Sequence, residues 1–378
     1  MNEFDSIRPY NDDEVRPAIE SLLRDRQFSR ILKGVLPIVP LGMSRGMLRM
    51  ATWGIHSTLQ FQLRFMKPVV NYVLRKCSTG HTFQHDTIKA GDERYTFISN
   101  HRDIVLDSAI LDLMLADAKF PTTCEIAIGD NLLIYPWIRT LVRLNKAFIV
   151  RRNISRKELY ESSLLMSRYM RHAIQEKHEN IWIAQREGRA KDSSDQTQVS
   201  LLKMLAMGGD LKSLNIVPLS ISYEYDPCDY LKAREFQQKR DDAAWKKSKQ
   251  DDLTNMKTGI TGQKGHIHYQ TGRPVNEWIE ELADIEDKNE FFTELARRID
   301  REIHLGYRLF PSNYVAADLL SGTPTHAEHY THKQLLAFEQ YIASRIALID
   351  LPNRDDQFLR ERLLTMYANP LLNYEKAR

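Results

Sequence analysis

From residue 93 onward the chain alternates between short apolar runs and longer amphipathic ones, and this alternation limits the possible folds more than any other feature. Segments 94–99, 124–128, 147–152, 180–185, 215–223 and 265–271 are rich in Ile, Val, Phe and Tyr and read as strands. Between them, 104–117, 131–144, 155–177 and 196–207 carry helical spacing. Strands joined by helix-length crossovers pair in parallel, so the expectation is an α/β fold with a largely parallel central sheet flanked by helices.

Three regions follow from this pattern: an N-terminal helical, membrane-associating region at 1–92, the α/β domain at 93–275, and a C-terminal helical region at 276–378. Within the first, 31–74 is crowded with Leu, Val, Met, Phe and Trp. Lys33, Arg45, Arg49, Arg64, Lys67 and Arg75 are interspersed with almost no acid, and Pro37, Pro40 and Pro68 cut the stretch into short helices. Two readings stand: helices lying in a bilayer interface with their cations on anionic headgroups, or a helical pair packed on the core. Within the second region, 229–258 is rich in lysine and aspartate and reads as a solvated helical insertion, with a membrane or acyl-carrier contact as the alternative.

Composition narrows the class. A net charge of +3 gives no ground for nucleic-acid binding. Cys77, Cys124 and Cys228 are far apart, which points to a reducing compartment and neither a disulfide framework nor a zinc site. The mixed, acidic start Met1-Asn-Glu-Phe-Asp-Ser does not read as a signal peptide, and no apolar run of 18 residues is present to span a bilayer.

Four segments carry chemistry. In Tyr95-Thr-Phe-Ile-Ser-Asn-His-Arg-Asp-Ile-Val-Leu-Asp107 a strand delivers His101 to a polar loop, and Asp103 and Asp107 follow. A histidine with a carboxylate beside it can take a proton from an alcohol, because the carboxylate fixes the tautomer and stabilises the imidazolium. Next comes Lys146-Ala-Phe-Ile-Val-Arg-Arg152, a strand ending in Arg151 and Arg152. Then Ile181-Trp-Ile-Ala-Gln-Arg-Glu-Gly-Arg-Ala-Lys191 breaks at Gly188 into a loop bearing Glu187 and Arg189. Last is Asn215-Ile-Val-Pro-Leu-Ser-Ile-Ser-Tyr223, with Val217 and Pro218 inside an apolar strand. Ligands of open α/β sheets bind beyond the carboxyl ends of strands, and arginine forks there suit a phosphate.

In this order the four segments resemble the glycerolipid (glycerophosphate) acyltransferase superfamily, over about residues 93–225. Its blocks are Asn-His-x-x-x-x-Asp, Phe-Ile-x-Arg, Glu-Gly-x-Arg and Val-Pro. The resemblance implies transfer of a fatty acyl group from acyl-CoA or acyl-carrier protein to a glycerol-phosphate or lysophospholipid hydroxyl. No cofactor, metal or covalent acyl-enzyme is implied. His101 is then the general base. Arg151 or Arg152, with Glu187, Gly188 and Arg189, holds the acceptor, and Val217 and Pro218 shape the donor side. Membrane phospholipids become the expected partners, with an acyl carrier protein as a further one, at the cytoplasmic membrane face.

The chain departs from the pattern twice. The family's aspartate lies five residues after the histidine, and that position is Leu106 here. A one-residue insertion makes Asp107 the partner and leaves Asp103 to cap the following helix, which favours Asp107. The third block, Glu187-Gly-Arg189, is one residue tighter than usual. An amino-lipid acceptor and a thioesterase or lipid hydrolase using water are the alternatives, although no Gly-x-Ser-x-Gly elbow is present. A non-enzymatic membrane-binding scaffold is disfavoured by His101, Glu187 and Arg189. Elsewhere, Asp130 is expected to cap the helix at 131, His266 and His268 to be structural, and His326, His329 and His332 to lie in an exposed loop.

Overall fold

The computed structural model describes residues 3–35, 44–152 and 154–378. Seven strands form its sheet: β1 (Gly80–Gln84), β2 (Thr96–Ser99), β3 (Cys124–Gly129), β4 (Ala147–Val150), β5 (Asn180–Ala184), β6 (Ile216–Tyr223) and β7 (His266–Thr271). Their order is β1-β7-β6-β2-β5-β3-β4, parallel throughout except for the antiparallel β6–β7 pair. The alternation read from the sequence is therefore a mostly parallel α/β fold. β1 is the strand that pattern misses. Gly80-His-Thr-Phe-Gln84 carries little apolar signal and lies in the stretch assigned to the helical N-terminus. It is held at the sheet edge by ladder bonds to β7 and by Thr82, which bonds His266 and His268 at 3.0 and 2.7 Å.

Helices follow in chain order: α1 (Asp12–Arg24), α2 (Arg26–Val35), α3 (Ser44–Ala51), α4 (Thr58–Phe61), α5 (Lys67–Cys77), α6 (Leu106–Asp117), α7 (Pro136–Leu144) and α8 (Arg156–Gln175). After them come α9 (Val199–Ala206), α10 (Asp229–Asp241), α11 (Lys249–Thr261), α12 (Lys288–Leu305), α13 (Pro311–Ser321), α14 (His332–Ala347) and α15 (Asp356–Ala377).

The central strands are buried on both faces, which is why they read as near-continuous apolar runs. Phe97, Trp182, Val217 and Leu219 point to the layer of α5 and α6. Ile98, Ile181, Ile183 and Ile216 point to the layer of α8, α9 and α12. The helix after β2 thus covers one face and the helix after β5 the other. β2 and β5 are neighbours, so a crevice opens between the loops that leave their carboxyl ends, where ligands bind in open α/β sheets.

The described part of the N-terminal segment packs on the core. The part at 36–43, with Pro37 and Pro40, lies outside the described residues. In the remainder, α5 buries Val70, Val73, Leu74 and Cys77 against α6 and the sheet. Buried Gln62 donates to Asp112 (2.9 Å) and to the Asn145 carbonyl (3.1 Å). These contacts make the segment an integral part of the domain. Its outer side nevertheless exposes Met50 and Trp53 at 75% and 80%, together with Met47 and Leu63. Among the described residues no helix is long and apolar enough to cross a membrane.

The charged insertion is helical, as its composition indicates, but it is packed against the body of the protein. α10 buries Asp229, Leu231, Lys232, Ala233, Glu235 and Gln237. Asp229 accepts from Tyr341 (2.6 Å), Tyr367 (2.8 Å) and Arg345 (2.5 Å), tying α10 to α14 and α15. Composition alone hides this, because only part of the charge turns inward: Asp229, Lys232 and Glu235 are buried, while Lys239, Asp242, Lys246 and Lys249 are exposed.

In the C-terminal region His326 sits between Asp318 (2.7 Å) and Glu375 (3.1 Å). Burial opposes its cation, but the hydrogen bonds to the two carboxylates outweigh this and raise its pKa above 6.5. A raised folded-state value stabilises fully below pH 6.5, and the contribution is lost as pH rises through that value. Melting temperature is therefore expected to fall across this window in the native chain, and His326→Gln to flatten the fall.

Candidate active site

The site is built from loops at the carboxyl ends of β2, β4 and β5. As β2 ends, Asn100 continues its pairing with β6 through the side chain, donating to the Ile221 carbonyl (2.9 Å) and accepting from the Ile221 amide (2.8 Å). The backbone is then free to turn, and residues 101–105 wrap around two carboxylates.

Asp107, in the first turn of α6 and fully buried, lies 2.8 Å from His101 Nδ1 through its Oδ2. The same oxygen accepts from the amides of Arg102 (2.6 Å) and Asp103 (3.0 Å), and Oδ1 accepts from the Tyr223 hydroxyl (3.0 Å). Asp103 points the other way. Its Oδ1 accepts from the amides of Val105 (2.9 Å) and Leu106 (2.8 Å), a capping arrangement at the start of α6. Burial and the neighbouring Asp107 push its carboxyl pKa up. Leu106, at the position where an acid is usual, is buried in the core with Ile110 and Met114. The geometry pairs His101 with Asp107 and gives Asp103 to the backbone.

The His101 ring is packed edge-on against Trp182, with centroids 5.4 Å apart, and the Trp182 indole N–H donates to Ser99 Oγ at 3.0 Å. Nδ1 is committed to Asp107, which leaves Nε2 to the groove that His101 lines. This groove, of about 1900 Å³, has a polar end at His101, Arg151, Arg152, Arg186, Glu187 and Arg189. Its apolar arm runs past Val69, Val73, Ile128, Leu133, Trp137 and Leu141.

Arg152 reaches across from the end of β4 to Glu187, 2.8 Å away, and its amide donates to Asp130 Oδ1 at 3.0 Å. Asp130 therefore braces the arginine loop and makes no side-chain cap of the turn at Asp130–Leu132. Arg151 is exposed at the groove's rim. Gly188, at φ +67°, supplies the left-handed turn that brings Arg189 back toward the His101 loop. Arg189 donates to Asn255 (3.0 Å) and approaches the Arg102 carbonyl (3.5 Å).

Two expected site residues lie elsewhere. Val217 and Pro218 are buried in β6, with Val217 in the core under α5 and α6, and neither lines the groove. The Pro218 carbonyl accepts from the Gly272 amide at 2.8 Å, so these two residues build the sheet. Conversely, no local pattern marks Tyr223, Trp182 or Asn255 as site residues. Tyr223 and Trp182 belong to strand runs that look uniformly structural, and Asn255 arrives from the insertion.

The Acyltransferase family model matches residues 77–221, which run from the end of α5 into β6 and contain all four blocks. Residues 77–221 are thus an acyltransferase-family domain, and the protein is an acyltransferase enzyme. Among solved structures, the 1-acyl-sn-glycerophosphate (LPA) acyltransferase PlsC from Thermotoga maritima matches with a TM-score of 0.37 at 12% identity, covering 75% of this chain and 95% of that one. No curated protein matches this sequence.

Proposed function

We propose that this acyltransferase moves a fatty acyl group from a thioester donor, acyl-CoA or acyl-carrier protein, to the hydroxyl of a glycerol-phosphate or lysophospholipid acceptor. One observation carries the reading: His101, held by Asp107 at 2.8 Å, stands in a groove with an arginine-rich end and a long apolar arm. His101 Nε2 takes the acceptor's hydroxyl proton as the oxygen attacks the thioester carbonyl. Asp107 keeps the proton on Nδ1 and stabilises the imidazolium. The tetrahedral intermediate then collapses, the C–S bond breaks, and the imidazolium returns its proton to the departing thiolate. Arg151, Arg152 and Arg189 suit the acceptor's phosphate, and the apolar arm suits the acyl chain.

The test is incubation of purified protein with acyl-CoA and a panel of glycerol-phosphate, lysophospholipid and amino-lipid acceptors, with products read by mass spectrometry. New ester in the first two groups supports the reading. Thiol release that needs no added alcohol would make the protein a thioesterase instead.

Peripheral attachment to a membrane belongs to the same reading. Met47, Met50, Trp53 and Leu63 are exposed on the N-terminal helices, which suits insertion into a headgroup layer. Deleting the segment would remove part of the core, so point changes are the proper probe. Met50→Ser with Trp53→Ser is expected to weaken partitioning into anionic liposomes by more than about 100-fold, since burial of each large apolar side chain contributes ~1.5–3 kcal/mol. Sedimentation equal to that of the native chain would exclude this face.

A further inference from the structure

We infer that the helical insertion α10–α11 forms the subsite for the carrier end of the acyl donor, and that this subsite takes a nucleotide bearing several phosphate groups. The inference rests on the acyl-transfer reading above and gives a place to the half of the donor that does not react.

α11 forms one wall of the site. Its Asn255 holds Arg189, and Gly259 lies so close to Asp103 that an added Cβ would overlap that carboxylate. Leu253, Met256 and Ile260 share one side of α11 and line the groove, as do Val69, Val70 and Val73 of α5. An acyl chain can pass between these two apolar rows.

At the same wall Lys191, Lys239, Lys247 and Lys257 line the groove beside Arg189. Few acids answer them. Glu235 is shared by Lys191 and Lys239, and Asp252 pairs with Lys247. Asp192, also on the groove, accepts from the Ser194 amide. The crowding adds to the effect of burial at Lys191. Burial, followed by the nearby cations Lys239, Lys247, Arg189 and Lys232, pushes the Lys191 pKa down to about 7. A bound polyanion relieves such repulsion, and more so at low salt.

The occupant is a small molecule more readily than an acidic protein. The Lys191 side chain is only 25% exposed and lines the groove, a setting that suits a small ligand entering it. Phe236 of α10 lines the same wall and supplies an aromatic ring for a base.

The test compares the full-length protein with Lys239→Gln/Lys247→Gln/Lys257→Gln, two of whose positions are exposed, after confirming equal melting temperatures. Binding of adenosine 3′,5′-bisphosphate, followed by calorimetry, is expected to weaken about 30- to 100-fold, as for the loss of several charge-assisted contacts at a wet surface. KM for acyl-CoA should rise by a similar factor, while kinetics with an acyl-pantetheine donor, which lacks the nucleotide, stay unchanged. Unaltered bisphosphate binding, or an equal loss with both donors, overturns the subsite. So does a loss confined to acyl-carrier protein. Bisphosphate binding requires no turnover. Binding without acyl transfer by the native chain would therefore keep the subsite and remove the reaction.

Discussion

Replacing His101 by Ala is expected to lower acyl transfer by about 10²- to 10⁴-fold, the contribution of a positioned general base, with thermal unfolding nearly unchanged. The ring is partly open to the groove, with its side chain 13% exposed, so its removal leaves the core intact. Its loss should appear in kcat, because the acceptor's phosphate and the acyl chain are bound by other groups. The measurement is initial rate against acceptor concentration, with a melting curve alongside. Turnover within a few-fold of the native chain would remove His101 from the mechanism and the proposed reaction with it.

The second expectation separates the two aspartates. Asp107→Asn should cost about 10²- to 10⁴-fold in kcat, since the amide no longer fixes a proton on Nδ1 or stabilises the imidazolium. It also places an N–H₂ where the carboxylate now accepts from two amides and the Tyr223 hydroxyl. Asp103→Asn keeps an oxygen for the amides of Val105 and Leu106, so activity should stay within about threefold. Asp103→Ala should lower stability by about 1 kcal/mol as a lost cap. A large loss at Asp103→Asn with none at Asp107→Asn would reverse the pairing. The contrast matters because the acid stands six residues after His101 while the usual position is occupied by a buried leucine.

The central strands were legible because each is apolar on both faces, and six of the seven could be read from composition alone. β1 was not legible: it is an edge strand, its side chains are half-exposed, and ladder bonds to β7 hold it in place. The same reasoning explains Val217 and Pro218. A motif match says that residues recur together, not which face of a strand they occupy, and these two face the core.

The charged insertion shows the limit most clearly. Its lysines and aspartates, read in sequence, describe a solvated surface. Folded, Asp229 is enclosed by two tyrosines and an arginine from helices more than a hundred residues away, and Asn255 holds Arg189 in the site.

What the sequence determined by itself was the parallel α/β core, through apolar periodicity, and the ordered local blocks that carry His101 and its arginine-bearing neighbours. The sequence favoured Asp107 as the carboxylate beside His101 and the folded contact pairs them, whereas where the groove's apolar arm runs and what forms its far wall were decided only by tertiary structure. Both of these depend on contacts between segments distant in the chain, and such contacts leave no local pattern to read.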